Sequence, residues 1–160
     1  MTSVKKRTKK KSSPSTAKDN KQIELIIPAS SEYVGVARLA VSGVASRLDF
    51  TVEQVEDIKV AVTEACSNAV QYAYGKDRSG KTVDIVCKPR ADHIEIIVKD
   101  KGSGFDVNHP PKPTKDDEHT HLGLGLTFMK TLMDDVKINS KKGEGTEIKL
   151  IKYISSGKSS

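Results

Sequence analysis

The sequence predicts an α+β fold, a two-layer sandwich in which a mixed, mostly antiparallel sheet is covered by helices on one face. Three observations carry this expectation. Residues 82–88 and 93–99 alternate apolar and polar side chains and are separated by residues 89–92, the pattern of a hairpin. Two segments before them, about 31–48 and 52–74, repeat apolar residues at helical spacing. Another helical stretch and two more strand-like runs follow. Antiparallel pairing behind long helices points to a sheet covered on one side.

Taken in order, Ile23, Leu25 and Ile27 alternate with Gln22, Glu24 and Ile26 as a first strand, which Pro28 ends. Ser30 or Ser31 can cap a helix to about Leu48, with an apolar stripe through Val34, Ala37, Val41 and Val44. Thr51 and Gln54 form a candidate capping box for the next helix, in which Val55, Ile58, Val62, Ala65, Cys66 and Ala69 recur as far as about Tyr74. Gly75 and the turn Asp77–Gly80 lead into the hairpin. From Gly102 to His121 the chain is rich in glycine, proline and charge, which a compact domain tolerates as a functional lid or as disorder. A helical pattern resumes at about Gly123–Met133, and strands at about Val136–Ser140 and Thr146–Ile151 flank the turn Lys141–Gly145.

The length of 160 residues suits one domain. We expect a disordered Lys-rich tail over 1–21, a folded domain over 22–153 and a polar tail over 154–160. The net charge of +6 is concentrated at one end. Residues 1–21 hold eight basic side chains against Asp19, a net of +7, whereas residues 22–160 hold 19 basic and 20 acidic, a net of −1. A nearly neutral body lacks the charge that drives nucleic-acid binding and speaks against that function, although the tail could touch an anionic surface. Aromatic residues are only 4% and Trp is absent, so platforms for stacked bases are scarce. No apolar run is long enough for a membrane span, and the basic start lacks the apolar segment of a secretory signal, which makes the cytoplasm the default. Cys66 and Cys87 fall in apolar runs away from any metal-ligand spacing and read as buried reduced thiols.

Four segments carry candidate chemistry. Glu64 and Asn68 stand four residues apart, one turn along one helical face. A carboxylate there could accept a proton from a hydroxyl, and an amide oxygen could ligate Mg²⁺; an ordinary polar pair is the alternative. Asp100, Gly102 and Gly104 follow a strand, where glycines let backbone approach a ligand and Asp100 could accept a hydrogen bond from the amino group of adenine. A strand-ending turn is the alternative there. Gly123, Leu124, Gly125 and Leu126 open a helix whose free N–H groups favour phosphate, with Lys101 and Lys130 as candidate added charges. Thr146, after Gly143-Glu144-Gly145, could hydrogen-bond a nucleobase or simply close a turn. Neither a Walker A loop nor a dinucleotide fingerprint occurs.

In this order the segments resemble the motifs of the GHKL ATPase superfamily, specifically the bacterial anti-sigma factor serine/threonine kinases of the RsbW and SpoIIAB type, over about residues 22–153. Glu64-Ala65-Cys66-Ser67-Asn68-Ala69 is similar to the family's N box, and the segments at 100–105, 123–126 and 145–146 are similar to its glycine boxes. Tyr72 stands where relatives commonly carry His, and the basic tail extends beyond the family core. The resemblance implies the GHKL (Bergerat) ATP-binding fold, with Glu64 as general base, Asn68 as Mg²⁺ ligand and Asp100 on the adenine amine. It places the backbone of 123–126 on the phosphates and Thr146 beside adenine. ATP and Mg²⁺ are the implied cofactors. The implied partners are a STAS-type anti-anti-sigma protein as substrate, a sigma factor that is sequestered, and a second copy in a homodimer. The family's partner surface draws on the first helix, where Arg38 is a candidate contact. The chain length excludes a histidine-kinase dimerisation module in this reading. The competing functions are a nucleotide-dependent anti-sigma binder without phosphotransfer and a partner-switching kinase whose final target is not a sigma factor. His109, His119 and His121 form no zinc pattern and read as surface residues.

Overall fold

The computed structural model describes residues 21–109 and 122–155, the side chains of 122–124 excepted. The expectations for the Lys-rich tail before Lys21, for residues 110–121 of the lid with His119 and His121, and for residues 156–160 fall outside the described residues.

The strands are β1 (Ile23–Pro28), β2 (Thr82–Pro89), β3 (His93–Asp100), β4 (Asp135–Lys141) and β5 (Gly145–Tyr153), and the helices α1 (Ser31–Ala45), α2 (Val52–Asn68) and α3 (Leu122–Leu132). One sheet runs β1-β2-β3-β5-β4, and each of its four pairings is antiparallel, so the parallel component of the expected mixed sheet is not found among the described residues. The predicted hairpin is β2–β3, closed by Arg90 N–H donating to the His93 carbonyl at 2.9 Å.

Alternation divides the sheet. Ile27, Val83, Ile85, Ile94, Ile96 and Leu150 point from it into one core with Val41, Ile58, Val62 and Met129 of the helices. Removing such groups from water is the main stabilising contribution. The opposite face carries the ion pairs Lys88–Glu95 (3.3 Å) and Lys99–Glu147 (3.0 Å), which suit a face left to solvent. Ile97 is on that face yet only 6% exposed, with Val86 and Lys149 as its partners in register.

The helices depart from expectation at their ends. Thr51 and Gln54 make both bonds of the capping box, each 3.1 Å. Ser30 takes the N-cap position of α1 but makes no side-chain cap; its hydroxyl faces Glu32 instead. α1 ends at Ala45 rather than near Leu48, because Arg47 and Leu48 donate to carbonyls only three residues back while the Ser46 hydroxyl bonds the Ser42 carbonyl. α2 ends at Asn68, and Ala69–Ala73 continue as a wider π-helical turn. The Ala73 carbonyl, at the end of that turn, accepts a bond from Ser103 N–H at 3.0 Å.

Candidate functional site

Glu64 and Asn68 project from the last turns of α2, Glu64 half-buried and Asn68 buried. α3 lies against them. A Cβ added to Gly125 would stand 2.8 Å from Glu64 Oε2 and 3.6 Å from Asn68 Oδ1, so the helix is seated directly on the carboxylate, which would have to move for any larger residue. The expected phosphate-binding segment therefore meets the expected N box. Gly123 and Leu124 belong to the first turn of α3, where free backbone N–H groups gather.

The other end of the site belongs to the sheet. Asp100 is opposite Thr146 in the β3–β5 register, and Ser140 is opposite Thr146 in the β4–β5 register. These three polar residues thus form a row across adjacent strands. Burial pushes the Asp100 carboxyl above its ordinary value, opposed by hydrogen bonds from backbone N–H of Gly102 and Thr146. The Gly102 bond measures 3.0 Å. The Thr146 hydroxyl stands 2.7 Å from Ser140 Oγ, which also accepts the Phe105 N–H at 2.8 Å.

A narrow cavity joins the two ends, lined by Asn68, Tyr72, Asp100, Phe105, Leu126 and Thr146 among others. Apolar walls with a few converging polar groups fit a flat heteroaromatic ring. A wider hollow at the sheet end, lined by Lys99, Lys101, Lys141 and Glu147 and sharing Asp100 and Thr146 with the narrow cavity, with Ser140 beside them, contains neither Glu64 nor Asn68. Its position, and not its breadth, excludes it from the chemistry considered for α2.

Of the predicted residues, Asn68, Asp100, Gly104, Leu126 and Thr146 line one cavity, and Glu64 joins them through Gly125. Gly102 stays outside the cavity and packs on the backbone: a Cβ there would run into the Ala73 carbonyl. Gly104, at φ +62°, passes the Lys141 carbonyl in the same manner. Lys101 and Lys130 are both exposed. Arg38 is exposed in a shallow groove with Thr63 and Ser67. Cys66 and Cys87 are free and buried, as expected.

Two contributors escaped the sequence reading. The Tyr74 hydroxyl accepts the Lys101 N–H at 2.8 Å and donates to the Thr82 carbonyl at 2.7 Å, which ties the Asp100 loop to β2. No local pattern signals that contact. Ser140 was legible in principle, since a tight turn over 141–145 places residues 140 and 146 opposite each other.

The site suits nucleotide and metal on one specific ground. Among the described residues the Asn68 side-chain nitrogen is buried without a hydrogen-bond partner. A buried amide donor left unpaired is costly, and a ligand rich in acceptor oxygens would satisfy it. The amide oxygen of the same side chain is a ligand type that Mg²⁺ accepts. No cluster of three His, Cys, Asp or Glu side chains able to hold a metal occurs among the described residues. No helix among them is long and apolar enough to cross a membrane.

Comparison with known proteins agrees with this geometry. The histidine kinase-like ATPase domain family matches residues 27–152. The serine-protein kinase RsbW of Bacillus subtilis is 42% identical over 139 residues, covering 82% of this chain and 85% of its own. That of Oceanobacillus iheyensis is 45% identical over 141 residues, covering 82% and 86%. A crystal structure of the RsbU and RsbW domains of a Mycobacterium tuberculosis protein superposes with a TM-score of 0.61 at 17% identity, over 82% of this chain and 31% of that one. The histidine kinase domain of a blue-light activated kinase from Erythrobacter litoralis gives 0.52 at 20% identity, over 89% and 66%. The two structures speak for the fold alone, the RsbW sequences for kinship. Matched by the family model over most of its length and by these relatives, the chain belongs to the RsbW-type branch of the histidine kinase-like ATPase domain family.

Proposed function

We propose that this protein is an ATP-dependent serine/threonine kinase of a partner-switching system, which phosphorylates an anti-anti-sigma protein. The observation that carries the reading is Gly125 seated against Glu64 and Asn68, which brings a helix N-terminus to a carboxylate and an amide. The kinship with RsbW serine-protein kinases supports the same chemistry.

In this reading Asp100 accepts from the adenine amine and Thr146 lies beside it, while Leu126, Phe105 and Tyr72 enclose the ring. Gly102 and Gly104 let the loop after β3 fold tightly around that end. The free N–H groups of the first turn of α3, at Gly123 and Leu124, face the phosphates, while Gly125 and Leu126 continue the helix against Glu64 and the ring. Asn68 would hold Mg²⁺ through its amide oxygen, together with phosphate oxygens. Bound there, Mg²⁺ supplies neutralisation of charge on the transferring group. Glu64 takes the proton of the partner's hydroxyl as its oxygen bonds to the terminal phosphorus and ADP leaves. Positioning by α2 and α3 carries most of the acceleration.

The acceptor is a small STAS-type protein bearing the target Ser or Thr, and the same chain sequesters a sigma factor and works as a homodimer. Exposed Tyr33, Val36 and Leu39 on α1, with Arg38 between them, supply surface for such partners. Glu64→Gln tests the chemistry by transfer of the terminal phosphate of ATP to the cognate acceptor. The expected result is loss of transfer with ADP binding retained. Unchanged transfer in the variant would refute the role of Glu64.

A further inference from the structure

We infer that Ser140, which lies outside the cavity, sets the selectivity of the site for 6-amino over 6-oxo purines by fixing the direction of the Thr146 hydroxyl. The inference rests on the nucleotide-site reading above and names how that site discriminates.

A serine hydroxyl has one proton to give and two lone pairs. One lone pair of Ser140 Oγ is engaged by the Phe105 N–H at 2.8 Å. The proton has two destinations: Thr146 Oγ1 at 2.7 Å, or the Gly145 carbonyl at 3.4 Å. The first is an ordinary O–H···O length and the second is long. Ser140 therefore donates to Thr146 by preference, and Thr146 keeps its own proton for the cavity, of which it forms part of the wall.

The base edge needs that polarity. Asp100 as a carboxylate only accepts, so it takes a proton from the exocyclic amine of adenine. The ring nitrogen next to that amine is an acceptor and requires a donor, which the Thr146 hydroxyl supplies. A 6-oxo purine presents the reverse pattern, with an oxygen toward Asp100 and an N–H on the ring nitrogen. To accept that N–H, Thr146 would have to turn its own proton toward Ser140, whose proton would then fall back on the long Gly145 contact. Ser140 thus acts through Thr146 as a positioning residue, and its bond to Phe105 anchors it to the loop that follows Asp100.

The test is the ratio of affinities for ADP and inosine diphosphate, measured by calorimetry on the full chain for wild type, Ser140→Ala, Ser140→Val and Ser140→Thr. Thr and Val are nearly isosteric and both suit a strand, so their difference isolates the hydroxyl. Loss of one well-placed hydrogen bond should shrink the ADP preference by about fivefold in the Ala and Val variants. The Thr variant should keep it. A purely structural role would lower the melting temperature and both affinities together and leave the ratio unmoved. A ratio within twofold of wild type in the Ala and Val variants overturns the inference while leaving nucleotide binding intact. A wild-type protein that binds neither nucleotide overturns the site reading and this inference with it.

Discussion

Gly125→Ala separates the stability of α3 from its function. The added Cβ would lie 2.8 Å from Glu64 Oε2, against about 3.4 Å for the near edge of ordinary contact, so the carboxylate has to give by roughly 0.6 Å. Glu64 is half-buried on a flexible stem and can swing aside, which keeps the strain small. In the helix itself alanine is favoured over glycine by about 1 kcal/mol. The variant should therefore melt at or above the wild-type temperature. The reaction has no such latitude. Misplacing a catalytic group by about an ångström can cost on the order of 100-fold in rate, or about 2.7 kcal/mol of barrier. We expect phosphotransfer to fall by about 100-fold while ADP affinity changes by no more than about threefold. Single-turnover transfer from ATP, thermal melts and ADP titration measure the three quantities. Transfer within twofold of wild type in a folded variant would show that Glu64 does not depend on the space Gly125 leaves.

Asp100→Asn keeps an oxygen for Gly102 N–H but removes the buried charge, so ADP binding should fall while apo stability does not. Because the folded Asp100 pKa lies above its ordinary value, the native state holds that proton more tightly. Wild-type stability thus declines as pH rises from the ordinary carboxylate range through the raised value, and the difference should shift toward Asn across that window in urea titrations. Lys152→Met should destabilise by about 2 kcal/mol, since the largely buried ammonium bonds the Leu132 carbonyl at the end of α3 and pairs with Asp57 at 3.3 Å. Equilibrium unfolding measures that loss, and a change below about 0.5 kcal/mol contradicts it. Burial pushes both cysteine thiols up to about 12, so a thiol reagent at pH 8 should label neither in the native protein and both on unfolding.

Period and punctuation carried most of the architecture. Alternation through Ile94, Ile96 and Val98 located a strand, and the Thr51–Gln54 pair located a helix start, because both signals lie within a few residues of each other. The end of α2 was not legible in this way. The helical pattern runs through Ala69–Ala73 without interruption, yet the chain takes a π-turn there, and its last carbonyl is held by Ser103, thirty residues on. The site divides in the same way. Glu64 and Asn68 were readable as a pair from spacing alone, whereas their proximity to Gly125 is a tertiary fact about α2 meeting α3. Tyr74, bridging Thr82 and Lys101, sits in a segment with no local signal at all.

The row Ser140–Thr146–Asp100 runs across three strands whose register is set by backbone hydrogen bonds, while Glu64, Asn68 and Gly125 belong to two helices resting on that sheet. In the proposed reading, the polar groups that meet the base edge thus stand on the sheet, and the carboxylate and amide assigned to transfer stand on a helix. Substitution of Glu64, which lies outside the narrow cavity, can then alter or abolish the transfer step without disturbing which base is held. A lineage built on this scaffold is free to diversify its chemistry and its protein targets around an unchanged nucleotide.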